Sequence, residues 1–97
     1  MSYTVFLEDF PEISDKHRQE AERRFRRTLE RALGGEEAVI PAYKAWQAAE
    51  ESSESELTPD ELALAKRWLV AAGRARNEGF SGLGEAPEAY FEVRLER

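Results

Sequence analysis

Two short stretches of alternating apolar and polar residues, one near each end, constrain the fold of this 97-residue chain more than any other feature. In "YTVFLE" (3–8) Tyr3, Val5 and Leu7 fall on one side and Thr4, Phe6 and Glu8 on the other. In "AYFEVRLE" (89–96) Phe91, Val93 and Leu95 oppose Tyr90, Glu92, Arg94 and Glu96. A period of two is that of a half-buried strand. With helical spacing between them, the two strands must find each other across the length of the chain or remain unpaired.

Pro11 pushes Phe10 out of the helical region, and Ser14 or Asp15 can cap a helix that starts just beyond. From Lys16 onward Ala21, Phe25, Thr28, Leu29 and Ala32 recur at helical spacing, until Gly34-Gly35 supplies a left-handed stop. This predicts a first helix over about 15–33. Pro41 disfavours helix at Ile40 but suits the first turn of a helix that begins near it, which places a second helix at about 41–51 with Val39, Tyr43 and Trp46 inward. The polar run "SSESE" (52–56) reads as a connection. In "LTPDEL" (57–62) Thr58 is an N-cap, Pro59 the first helical residue, and Glu61 stands where it can reach back and close a capping box. A third helix runs on from there over about 59–78, with Leu62, Ala65, Trp68, Leu69 and Ala72 as its stripe and Gly79 beyond its end. Leu64 and Val70 fall outside that stripe. "GFSGLGEAP" (79–87) is then a glycine-rich loop.

These elements define an α+β fold. Terminal strands at about 2–9 and 89–96 pair in a small sheet, and helices at about 15–33, 41–51 and 59–78 pack on its Val5, Leu7, Phe91, Val93, Leu95 face. The length suits a single domain over 1–97. Simple alternation of direction through three helices would make the strands parallel, whereas antiparallel pairing is the commoner arrangement; the sequence leaves both open. Two strands form a marginal sheet with exposed edges, which a homodimer joining two sheets edge to edge would cover.

Composition removes several kinds of chemistry. Without cysteine there is no disulfide, thiolate nucleophile or thiolate metal site. The opening "MSYTVFLEDF" lacks a basic start followed by a long apolar run, and no apolar stretch approaches bilayer length, so a cytoplasmic protein without membrane contact is expected. Arginine outnumbers lysine eleven to three, the bias of GC-rich bacterial coding.

Charge is unevenly distributed. "KHRQEAERRFRRTLER" (16–31) carries seven positive and three negative side chains, net +4, so with −6 overall the remainder holds −10. On an ideal helix Lys16, Arg23 and Arg27 point away from Phe25, with Arg24 and Arg31 on one flank and Arg26 on the other. Lys16, Arg23, Arg27 and Arg31 are therefore the candidate contacts for a partner or an anion. Phosphate binding needs such a ridge, because counterion release dominates that affinity. Against nucleic acid stand the acidic net charge, the absence of a stacking motif, and Glu20–Arg24, Glu22–Arg26 and Arg26–Glu30 pairs at four-residue spacing. The acidic run "EESSESELTPDE" (50–61) could meet the ridge in a second copy or in another protein.

Other motifs are weak. His17 has no second histidine at zinc-ligand spacing. The serine of "GFSGLG" lacks the strand-turn-helix setting of a nucleophile elbow, and no Lys-Ser or Lys-Thr comes after Gly79, Gly82 and Gly84 to make a phosphate cradle. Ser53 followed by Glu56 resembles an acidophilic phosphoacceptor site, though an ordinary acidic connection is much the better explanation. Phe6 and Tyr90, aromatic on the polar sides of their strands, join Val70 and Phe80 as candidate interface residues. The expectation is a protein that acts by contact with a protein partner or a second copy of itself, with no cofactor, metal or catalytic residue assigned; the rival is a nucleic-acid-associated protein using the arginine-rich helix.

Overall fold

In a computed structural model of the chain, which describes residues 1–52 and 56–97, the terminal strands β1 (Ser2–Glu8) and β2 (Tyr90–Glu96) pair antiparallel. The register sets Tyr3 opposite Leu95, Val5 opposite Val93 and Leu7 opposite Phe91, so the expected apolar residues share one face. Three helices, α1 (Asp15–Leu33), α2 (Val39–Glu51) and α3 (Pro59–Phe80), complete the α+β fold. Ser53 and the middle of the 52–56 connection lie outside the described residues.

Both strong capping signals are realised. Ser14 accepts the His17 amide at the start of α1, and Gly34 closes its end in the left-handed region at φ 96°. At α3 the Thr58 hydroxyl accepts from the Glu61 amide at 3.1 Å while the Glu61 carboxylate accepts from the Thr58 amide at 3.3 Å. Helix α2 begins two residues earlier than expected, fed by a 3₁₀ turn over Glu36–Ala38. Pro41 then falls in its first turn, where a missing amide hydrogen leaves no bond unmade, and Val39 is fully buried.

The strand orientation results from how the helices are laid. Tyr3 bonds Glu30 and Leu7 bonds Glu22, so β1 and α1 run in opposite directions. Arg24 reaches the end of α3 at Glu78, and Arg67 of α3 reaches Leu33 at the end of α1, so these helices are antiparallel as well. Strict alternation would have made α1 and α3 parallel. The short α2 therefore contributes no reversal of its own, and β2 returns antiparallel to β1.

Helix α3 corrects the sequence reading in two ways. It runs through Gly79, which is buried inside its last turn, and its buried face is Ala65, Trp68, Ala71, Ala75 and Gly79 in place of a stripe through Leu69. Leu69 is 57% exposed, whereas Leu64, placed outside the stripe, packs on the core. The reason is geometric: α3 packs against both α1 and α2, and alanine or glycine at the contact lets two helices approach where leucine would hold them apart. The main core joins Tyr3, Val5 and Val93 to Phe25, Leu29, Val39 and Trp68, and a second cluster forms around Leu7, Ala21 and Ala89. Burying each large side chain stabilises the fold by roughly 1.5–3 kcal/mol.

Candidate functional site

The strand ladder determines which edges of the sheet are available. The Leu7 amide leaves the sheet to donate to Glu22 Oε2 at 2.9 Å. In an antiparallel pair, residues opposite each other alternate between exchanging hydrogen bonds and not doing so. Leu7–Phe91, Val5–Val93 and Tyr3–Leu95 are therefore the non-bonded pairs, and their main-chain groups point outward from the two edges.

Side chains of α1 take two main-chain groups on the edge of β1, one near each end, and leave Val5 between them beside a hollow. Besides Glu22 on the Leu7 amide, Arg26 Nη1 approaches the Tyr3 carbonyl at 3.5 Å, and its guanidinium lies 4.4 Å from the Tyr3 ring centre. These two side chains, one turn apart beside the buried Ala21-Phe25-Leu29 stripe, were expected to pair with each other. The strand takes Glu22, and Arg26 pairs with Glu30 at 3.3 Å, as its spacing predicts. Glu30 also accepts the Tyr3 hydroxyl at 2.5 Å. Burial, then this bond to a carboxylate and its charge, push the Tyr3 phenol well above its ordinary pKa.

The edge of β2 is largely open. Among the described residues only the Val93 carbonyl has a side-chain partner there, the Tyr43 hydroxyl at 3.3 Å, which itself accepts from Gln47 at 3.2 Å. Beside this edge runs a mainly apolar groove of about 470 Å³, walled by Tyr43, Trp46, Trp68 and Leu69 on the helices and by Tyr90 and Phe91 on the strand. Leu69 and Tyr90 stand at its margin, 57% and 46% exposed.

The candidate interface residues separate. Tyr90 belongs to this groove, whereas Val70, 59% exposed, lies on another flank of α3 beside Ala32, Lys66 and Arg67. Phe6 stands opposite Glu92, with the Arg94 guanidinium 4.2 Å from its ring centre, while Tyr90 stands opposite Glu8. Arg94 also pairs with Glu8 at 3.0 Å and Glu92 at 2.7 Å, which gives the outer face a fixed charge order. Phe80 packs inward, 4.8 Å from the ring of Phe91, and Leu83 tucks beneath the loop with it.

The cationic residues also divide. Arg27 and Arg31 line a cleft of about 410 Å³ between α1 and α3, together with Arg24, Arg74 and Asn77. Arg23 faces a separate hollow beside β1, and Lys16 is exposed in the first turn of α1. Among the described residues no carboxylate pairs with Lys16, Arg23, Arg27 or Arg31. Arg24 does not pair with Glu20: it donates to the Glu78, Gly79 and Ser81 carbonyls at 3.1–3.2 Å. Arg74 and Asn77 escaped the sequence reading because only the antiparallel laying of α3 on α1 brings them to Arg27.

A wider hollow of about 690 Å³ at one end of the sheet gathers Glu8, Asp9, Glu22, Glu85 and Glu88. Glu8 is bonded to Arg94 and Glu22 to the Leu7 amide, and the other three are exposed at the rim. His17 is exposed. Among the described residues no group of three or more His, Asp or Glu side chains is placed to hold a metal ion, and no helix is long and apolar enough to cross a membrane.

Comparison of the chain with known protein families, with curated proteins and with solved structures finds no match in any of the three.

Proposed function

We propose that this protein works by protein–protein contact, receiving an extended segment of a partner along the free edge of β2 and in the groove beside it. The observation that carries the reading is the asymmetry of the sheet: α1 side chains occupy the β1 edge, while β2 keeps outward main-chain groups next to exposed Leu69 and Tyr90. Strand addition of this kind draws affinity from main-chain hydrogen bonds and specificity from alternate side chains that enter the adjoining groove. An enzyme is no part of this reading: the carboxylates of the wide hollow are either engaged or solvated at its rim.

A test is selection from a library of random extended peptides, followed by amide chemical-shift mapping. Shifts at Tyr90–Leu95, Trp68 and Leu69 support the reading; a selected binder that leaves them still refutes it.

The rival has its own observation, the convergence of Arg27, Arg31 and Arg74 on one cleft. Anisotropy with duplex and single-stranded oligonucleotides at low salt separates the two. Binding that Arg27→Glu and Arg31→Glu abolish would favour nucleic acid, whose phosphates depend on such cations.

A further inference from the structure

We infer that the segment received along β2 is the β2 strand of a second copy, paired antiparallel about Val93 to make a four-stranded sheet. This rests on the strand-edge reading of the function and commits it to one occupant.

The argument lies in the order of residues along β2, read with the direction in which each points. Phe91, Val93 and Leu95 carry the outward main-chain groups and face the helices, while Tyr90, Glu92, Arg94 and Glu96 lie on the outer face. When β2 meets its own copy about Val93, Glu92 stands opposite Arg94 of the second copy and Arg94 opposite Glu92. Phe91 stands opposite Leu95, and Val93 opposite itself. Opposite charges directly across a ladder stabilise it and like charges oppose it. The two neighbouring registers that keep both faces aligned are worse on every count: one sets Glu92 against Glu92, the other Arg94 against Arg94, and both shorten the ladder. Only the pairing about Val93 uses all seven residues of Tyr90–Glu96.

Tyr43 is compatible with this pairing. A carbonyl oxygen has two lone pairs, so Val93 can keep the Tyr43 hydroxyl and accept the Val93 amide of the second copy. The groove beside the edge then receives apolar side chains from the incoming strand. Glu22 and Arg26 obstruct the outer edges of both copies at Leu7 and Tyr3, which disfavours further strand addition and favours an assembly of two.

Sedimentation equilibrium on four samples tests the inference: the wild type, Glu92→Arg, Arg94→Glu, and an equimolar mixture of the two variants. The wild type is expected to dimerise. Each variant alone meets like charges at both cross-strand positions and is expected to dimerise at least tenfold more weakly. The mixture restores both opposite-charge pairs and is expected to dimerise again. Variants that dimerise as the wild type does, or a mixture that stays monomeric, overturn the register. A wild type that is monomeric into the near-millimolar range overturns self-pairing, while the strand-edge reading is scored independently by the peptide selection. Should Arg94→Glu fail to fold on losing Glu8 and Phe6, amide exchange of the wild type decides. Concentration-dependent protection at Phe91, Val93 and Leu95, but not at Val5, is the expected result, and its absence overturns the inference.

Discussion

Arg24 and Arg67 cap each other's helices. Arg24, in the middle of α1, donates to the Glu78, Gly79 and Ser81 carbonyls where α3 ends, and Arg67, on α3, donates to the Leu33 carbonyl where α1 ends. Two antiparallel helices thus exchange a cation for the negative end of the partner's dipole, and each guanidinium satisfies carbonyls that the helix itself leaves open.

Arg24→Met keeps an unbranched stem of about the length of the arginine's aliphatic part and removes three hydrogen bonds. It is expected to destabilise the fold by about 1 kcal/mol, and Arg67→Met, which removes a single bond, by less. Arg24→Lys recovers only part of the loss, because an ammonium cannot serve carbonyls through the planar fork. Urea denaturation of the three variants measures the order.

Gly79 supplies a second expectation. A methyl group at this position would lie 2.7 Å from Phe91 Cε2, well inside contact distance. Gly79→Ala gains up to about 1 kcal/mol of helix propensity and meets an overpacking cost of about 1–3 kcal/mol. The net outcome is a less stable protein with a lower Tm. Combining Gly79→Ala with Phe91→Leu should recover part of the loss, since the ring is what the methyl group strikes.

Tyr3 makes stability depend on alkaline pH. Its folded-state pKa is raised above the ordinary 10.0, first by burial and then by the bond to Glu30. A raised value favours the protonated phenol in the fold, so the contribution is complete below pH 10 and is lost as pH rises towards the folded-state value. Tyr3→Phe should cost about 1–2 kcal/mol at neutral pH through the lost hydrogen bond to a charged group. The gap between wild type and variant should then narrow above pH 10. Urea midpoints at neutral pH and above pH 10 provide the comparison.

Thr58→Ala removes one half of the capping box at the start of α3 and is expected to cost about 1 kcal/mol. Thr58→Ser should be nearly neutral. Thermal melts of both variants distinguish a lost cap from a lost methyl group.

How much of this was legible depended on the range of each interaction. The caps at Ser14 and Thr58 were readable because their partners lie within a few residues, and the strands because the alternation of each is complete within its own segment, though their partners lie at the opposite end of the chain. The face of α3 was not: helical spacing permits a stripe through Leu62, Leu69 and Ala72 as well as through Ala65 and Trp68, whereas a helix with neighbours on two sides buries small residues such as Ala71 and Ala75. Glu22 and Arg26 look like an ion pair at their spacing, and only the presence of β1 beside them gives each a different partner. The cleft at Arg27 and Arg74 and the open edge of β2 depend on which elements become neighbours, which periodicity does not encode.

Trp46 and Trp68 sit with their ring centres 6.3 Å apart in the wall of the β2 groove, and Tyr43 lies 5.0 Å from Trp68. The chain has no other tryptophan. Its tryptophan fluorescence, excited apart from the tyrosines, therefore originates wholly beside the strand edge, so a partner arriving there changes the light the protein emits without any dye or tag being attached.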